Sequence, residues 1–145
     1  MEYKKLTEDN LDFVVRHYMD YYNNQENGCW TCQTAHARIH PIMTMEGAEC
    51  LLLFDNGELI GFLMGYYKQF DDLKVYFLEE IVIFSAFQNK GYGSCLMIEL
   101  EKIVKRNGAS YIKLMSVNDE CHEHFYGKLG YASASHLSIK EKHIE

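Results

Sequence analysis

Apolar residues recur at helical spacing at Leu11, Val14, Val15, Tyr18 and Tyr22, just behind Thr7, Asn10 and a pair of acids. That combination predicts an amphipathic helix with a capped start. A polar stretch, residues 23–28, ends it, and a second helical pattern covers about residues 34–44, with Pro41 obscuring its end. The period then changes. Residues 50–54 and 59–67 are apolar runs joined by Asp55-Asn56-Gly57, and Asn-Gly between such runs predicts a hairpin because both turn positions tolerate positive φ. After a loop at 69–72, residues 75–83 predict a long strand, apolar enough to be covered on both faces and interrupted by Glu79 and Glu80.

From residue 91 to 107 the pattern is helical again. Leu96, Met97, Leu100, Ile103 and Val104 form one stripe, and Asn107-Gly108 closes the helix. Residues 111–115 read as a strand, 119–129 as a short helix stopped by Gly130, and 131–139 as a final strand. The order is strand, two helices, three strands, helix, strand, helix, strand. That is an α+β chain with one strand–helix–strand unit in its second half.

Composition narrows the reading. A chain of 145 residues, 48% hydrophobic, with a single Pro and scattered Gly, is expected to be one domain with one core. A net charge of −7 argues against nucleic acid, whose binders carry a basic face, and suits a cationic small substrate better. No apolar run approaches the roughly 20 residues of a membrane span, and residues 1–6 contain no apolar signal core. Five cysteines, an odd number, read as free thiols in a reducing compartment, so a cytoplasmic location is expected.

Gln88-Asn89-Lys90-Gly91-Tyr92-Gly93-Ser94 follows the long strand and opens the longest amphipathic helix. The first N–H groups of a helix lack intrahelical partners and lie at the positive end of its dipole, so a turn leading into them can hold phosphate oxygens. Gly91 and Gly93 remove side chains from that approach, and Lys90 adds a cation. A dinucleotide fingerprint would need Gly where Leu96 stands, and a phosphate-binding Gly-Lys-Ser/Thr is absent. By itself the segment also fits a tight turn with no ligand.

Gln88 to Gly93 resembles the Gln/Arg-x-x-Gly-x-Gly/Ala pyrophosphate loop of the Gcn5-related N-acetyltransferase (GNAT) superfamily, preceded by Leu78-Glu79-Glu80-Ile81-Val82-Ile83 where that family places its fourth strand. Phe125-Tyr126-Gly127-Lys128-Leu129-Gly130-Tyr131 is similar to the family's C-terminal Phe/Leu-Tyr-x-Lys-x-Gly-Phe/Tyr segment. The resemblance covers residues 51–139, and the first two helices by order alone. It implies a single N-acetyltransferase domain over residues 1–145 and a mostly antiparallel mixed sheet, splayed between its fourth and fifth strands and flanked by about four helices. It implies acetyl-CoA as cosubstrate and no metal. The Ile81-Val82-Ile83 segment, through the backbone groups of Ile81 and Ile83, would hold the pantetheine arm, and Gln88 to Ser94 the pyrophosphate. Where the family often has a cofactor-touching Asn seven residues before the Tyr, this chain has Asp119 beside Asn118. A carboxylate there repels phosphate unless it points away.

Acetyl transfer to an amine needs a neutral nucleophile and a proton donor for the departing thiolate. Tyr126 is the candidate donor, since its phenol has a reference pKa of about 10 against about 8.5 for a thiol. Glu79 is the favoured base, with Glu80 second; strand alternation puts Glu79 on the face of Phe77, Ile81 and Ile83, and Glu80 on the other. A similar acidic pair serves the polyamine acetyltransferase branch of the family. Both acids also fit an exposed strand end. Cys29, Cys32, His36 and His40 have a metal-like spacing but lie too close in sequence for a usual zinc module. His122 and His124 read as surface residues.

The leading reading is an acetyl-CoA-dependent N-acetyltransferase that acts by direct transfer to a primary amine in a ternary complex. The alternative is a non-catalytic acyl-CoA sensor or interaction module. A small cationic amine is the expected acceptor, a protein amine is the other option, and a homodimer is expected by analogy with the family. Tyr126→Phe separates the two readings. In an enzyme it lowers thiol release by about 10²-fold or more and leaves acetyl-CoA affinity intact by calorimetric titration; undiminished turnover removes Tyr126 from the chemistry.

Overall fold

Thr7 and Asn10 start the first helix, as their spacing predicts. In the computed structural model, which describes residues 1–145, the Thr7 N–H donates to Asn10 Oδ1 at 2.8 Å, and α1 spans Glu8–Gln25. Its buried positions are Leu11, Val14, Val15 and Tyr18. The second helix, α2, spans Cys32–Met43. It begins earlier than expected because Thr31 caps it, accepting from the Thr34 N–H at 3.1 Å. Pro41 lies in its last turn, where one missing N–H interrupts little, and the Thr44 N–H still reaches the His40 carbonyl at 3.0 Å.

Five strands form one sheet in the order β1-β2-β3-β4-β5. They are β1 Glu2–Lys5, β2 Leu51–Asp55, β3 Glu58–Gln69, β4 Lys74–Ile83 and β5 Tyr111–Leu114. The first three pairings are antiparallel and β4–β5 is parallel, bridged by a short 3-10 turn, Ser85–Phe87, and by α3, Tyr92–Arg106. Asn56 and Gly57, at φ 51° and 79°, make the predicted hairpin turn. The helices α1 and α2 cover one face, burying Leu52, Phe62, Met64, Val82 and Phe84 with Leu11, Val14 and Ile39. Leu51, Leu53 and Leu63 alternate to the other face, where α3 buries Leu96, Met97, Leu100 and Val104.

Two irregularities in β4 matter for function. Met64 pairs with Glu80 and Gly65 with Leu78, so Glu79 is an extra residue, a β-bulge. Glycine stands opposite the bulge: a Cβ on Gly65 would stand 2.2 Å from the Phe77 carbonyl oxygen, so only glycine allows this close approach. The bulge overturns the simple alternation, and Glu79 and Glu80 reach the same partner on the α2 side of the sheet. The second irregularity is that β5 pairs with β4 only from Val75 to Leu78. Beyond Leu78 no strand pairs with that edge of β4.

The chain divides into two units, Met1–Met115 and Ser116–Glu145, and the elements above all belong to the first. The second contains α4, Glu120–Lys128, followed by Gly130 at φ 91°. The strand expected over residues 131–139 is not formed. Leu137 and Ile139 in that segment are 56% and 67% exposed.

Gly65→Ala is expected to lower the unfolding free energy by about 1–3 kcal/mol, read as a fall in the urea midpoint. An unchanged midpoint would mean that β3 and β4 can separate freely at the bulge.

Candidate active site

The unpaired edge of β4 carries specific backbone groups. The Phe84 N–H donates to the Ile60 carbonyl of β3 at 3.0 Å. By antiparallel alternation Val82 also faces β3, and the N–H and C=O groups of Ile81 and Ile83 face the edge that β5 leaves unpaired. The Ile83 carbonyl accepts from Gln88 Nε2 at 2.8 Å, and the same nitrogen lies 2.8 Å from the Tyr21 hydroxyl. The first Gln of the turn therefore ties the turn back to β4. Ile81 and the Ile83 N–H remain, a row of polar backbone groups that suits the amides of a pantetheine arm.

The turn is shaped by two residues at positive φ. Asn89 at φ 62° and Gly91 at φ 86° swing the backbone so that α3 starts at Tyr92, with the Cys95 N–H closing the first helical bond to Gly91 at 3.1 Å. The N–H groups of Tyr92, Gly93 and Ser94 precede that bond and have no intrahelical acceptor. A Cβ on Gly91 would meet no heavy atom within 4 Å, so its positive φ, and not crowding, demands glycine. The Tyr92 hydroxyl turns away and donates to Asp55 Oδ2 at 2.6 Å. Its part in the turn is played by its backbone. Gln88, Asn89, Lys90 and Gly91 are exposed.

On the α2 side of the sheet the two acids share one cation. Arg38 Nη1 donates to Glu79 Oε1 at 2.9 Å and Nη2 to Glu80 Oε1 at 3.1 Å. Tyr18 donates to the same Glu80 oxygen at 3.0 Å, and Tyr22 donates to Glu80 Oε2. Burial first, and then the charge of Glu80, push both tyrosine pKa values well up, so both remain protonated donors. Burial opposes the charge of Arg38, and its hydrogen bond to Glu79 with the field of Glu80 outweighs that. Glu80 has both oxygens engaged and its side chain is 15% exposed. Glu79 is 31% exposed and accepts only from Arg38, through Oε1. Its second oxygen is available to a ligand.

Of this cluster, the sequence pattern marked the two acids and left the other three unassigned. Tyr18 and Tyr22 read as core residues of α1, which they also are. Arg38 carried no signal, because its carboxylate partners lie 41 and 42 positions away.

In the second unit, the Tyr126 ring packs against Phe125 and Tyr131, with centroids 5.0 and 5.8 Å apart, and burial raises its pKa. Asp119 caps α4. Its Oδ1 accepts from the His122 N–H at 2.8 Å and lies 2.7 Å from His122 Nδ1, and the first of these contacts leads in lowering its pKa. Asn118 and His124 are exposed. In the first unit, His36 and His40 stack 4.7 Å apart, His40 Nε2 lies 3.0 Å from Glu8 Oε1, and Cys32 contacts Met19. No three His, Cys, Asp or Glu side chains converge as a metal-holding group, and no helix is long and apolar enough to cross a membrane.

The molecule is an α+β protein in which a bulged strand with an unpaired edge is followed by a glycine turn into a helix. The profile of the Acetyltransferase (GNAT) family matches residues 11–131, and the chain belongs to that family. It is accordingly an acetyltransferase, of a family that generally uses acetyl-CoA. Solved structures agree on the fold. A probable acetyltransferase superposes with a TM-score of 0.81 at 15% identity, over 100% of this chain and 99% of its own. A GNAT family acetyltransferase from Staphylococcus aureus superposes at 0.76 and 21% identity, over 99% and 98%. An aminoglycoside acetyltransferase from an uncultured soil metagenomic sample, in complex with sisomicin, superposes at 0.75 and 10% identity, over 99% and 96%. No curated protein sequence matches significantly.

Gly91→Val forces a branched side chain into the left-handed region, with an expected stability loss of about 1–2 kcal/mol. Calorimetric titration should show acetyl-CoA affinity falling by about tenfold or more. An unchanged affinity would remove this turn from the cofactor site.

Proposed function

We propose that this protein transfers the acetyl group of acetyl-CoA directly to a primary amine of a small molecule, in a ternary complex. The observation that carries the reading is Glu79: a carboxylate with one uncommitted oxygen, on the strand whose unpaired edge suits the pantetheine arm. In this reading the N–H groups from Gln88 to Ser94, with the Lys90 cation, hold the pyrophosphate. Ile81 and Ile83, at either side of Val82, hold the pantetheine amides and bring the thioester toward the acidic pair.

Glu79 accepts the proton of the attacking amine, directly or through a water, as the nitrogen bonds to the acetyl carbon. Glu80, which accepts from Tyr18, Tyr22 and Arg38, holds that arrangement in place. The carbon–sulfur bond then breaks. Tyr126, assigned by its family motif, offers its phenol O–H to the departing thiolate; its raised pKa keeps the donor form at neutral pH. The proton taken by Glu79 passes to solvent. Asp119 serves as the cap of α4, with Asn118 beside it as a polar neighbour.

Aminoglycoside acetyltransferases among the similar structures favour a small-molecule acceptor. Five free cysteines, none in a disulfide, suit the reducing cytoplasm. The reading treats residues 1–145 as one catalytic domain, supported by the family match that runs from residue 11 to 131. A homodimer is retained from the family analogy.

The test is a thiol-release screen of the purified protein with acetyl-CoA over an amine panel. Glu79→Gln should lower kcat by about 10²-fold or more and leave acetyl-CoA affinity unchanged. Acetyl-CoA binding with no thiol release from any amine would leave the non-catalytic acyl-CoA sensor as the function.

A further inference from the structure

Arg38 is shared between the two acids of β4. Its guanidinium spans the acidic pair, one terminal nitrogen on each carboxylate, at 2.9 and 3.1 Å. Two carboxylates and one guanidinium leave a single net negative charge. Glu80 already accepts from Tyr18 and Arg38 through Oε1 and from Tyr22 through Oε2. Of the four carboxylate oxygens, Glu79 Oε2 alone accepts no hydrogen bond.

The cation is also held in place. Arg38 projects from α2, which is anchored by the Thr31 cap and by Ala35 and Ile39, both wholly buried. Its side chain is 30% exposed, and its hydrogen bonds are split between two acids brought to one face by the bulge. A planar fork with two fixed partners loses little freedom on forming both bonds, so it is not readily displaced by a flexible ammonium.

We infer that Arg38 determines the charge class of the acceptor, restricting the acidic pair to amines that carry one positive charge and excluding diamines and polyamines. This rests on the amine-transfer reading above and narrows it. The amine that reacts finds Glu79. A second ammonium, instead of the paired carboxylate it needs, finds a like charge a few ångströms away, in a partly dry site where such repulsion is stronger than in water. Without Arg38 the same two acids would form a doubly negative site suited to a dication. The resemblance of Glu79-Glu80 to the acidic pair of polyamine acetyltransferases is thus reversed in effect by one residue from another helix.

The experiment compares n-butylamine with 1,4-diaminobutane on the CoA-saturated protein, reading affinity from thermal shift against amine concentration, with thiol release from acetyl-CoA measured in parallel. The wild type should bind the diamine no better than the monoamine. Arg38→Met should raise the diamine-to-monoamine affinity ratio by about tenfold or more, and Arg38→Lys, which keeps the charge, should hold the wild-type ratio. An unchanged ratio in folded Arg38→Met overturns the inference, as does binding of neither amine. If that variant does not fold, a wild-type preference of about tenfold or more for the diamine overturns it equally. Thiol release absent from every amine, with the binding ratio still responding to Arg38, removes the transfer reading and leaves the charge selection standing.

Discussion

The bulge in β4, where Gly65 approaches the Phe77 carbonyl, is the constraint on which the acidic pair depends. It takes up Glu79 as an extra residue, and that residue resets the alternation of the strand. Without the bulge, neighbouring glutamates would face opposite sides of the sheet. With it, both meet one guanidinium on the side covered by α1 and α2. A strand thus presents two charges at one point, which its regular geometry forbids.

The same strand carries a second departure from regularity. Because β5 ends opposite Leu78, the backbone of Ile81 and Ile83 has no neighbouring strand to satisfy it. Gln88 closes part of this gap by donating to the Ile83 carbonyl, and so joins the strand edge to the turn that starts α3. The unpaired strand edge, the glycine turn and the acidic pair therefore belong to one continuous segment, residues 79–94, and a shift in the register of β4 would move them together. Tyr18 and Tyr22 add to this coupling. Both pack in the core under α1 while donating to Glu80, so the packing of that helix also sets the geometry of the carboxylate.

Much of the architecture was legible from local pattern. The α1 stripe, the Asn56-Gly57 hairpin, the α3 stripe and the glycine turn each depend on interactions within a few residues, and each stands where the pattern put it. Pro41 blurred the end of α2, and a terminal proline proved compatible with the helix. The pattern over residues 131–139 looked like a strand, but alternation states only what a strand would bury. Whether a strand forms depends on a partner, which a pattern within one segment does not report.

The amino-acid sequence alone determined the family motifs, the glycine turn and the identity of the two acids, because these are short stretches whose chemistry travels with the residues themselves. Only the tertiary structure decided which way the acids point, which one keeps a free oxygen and what charge they present together. Those properties arise where β3 meets β4 and where α1 and α2 cross above them, through pairings such as Arg38 with Glu79 that lie 41 positions apart. Periodicity within a segment reports which face is buried; it holds no information about an extra residue taken up in a bulge, or about a cation delivered from another helix.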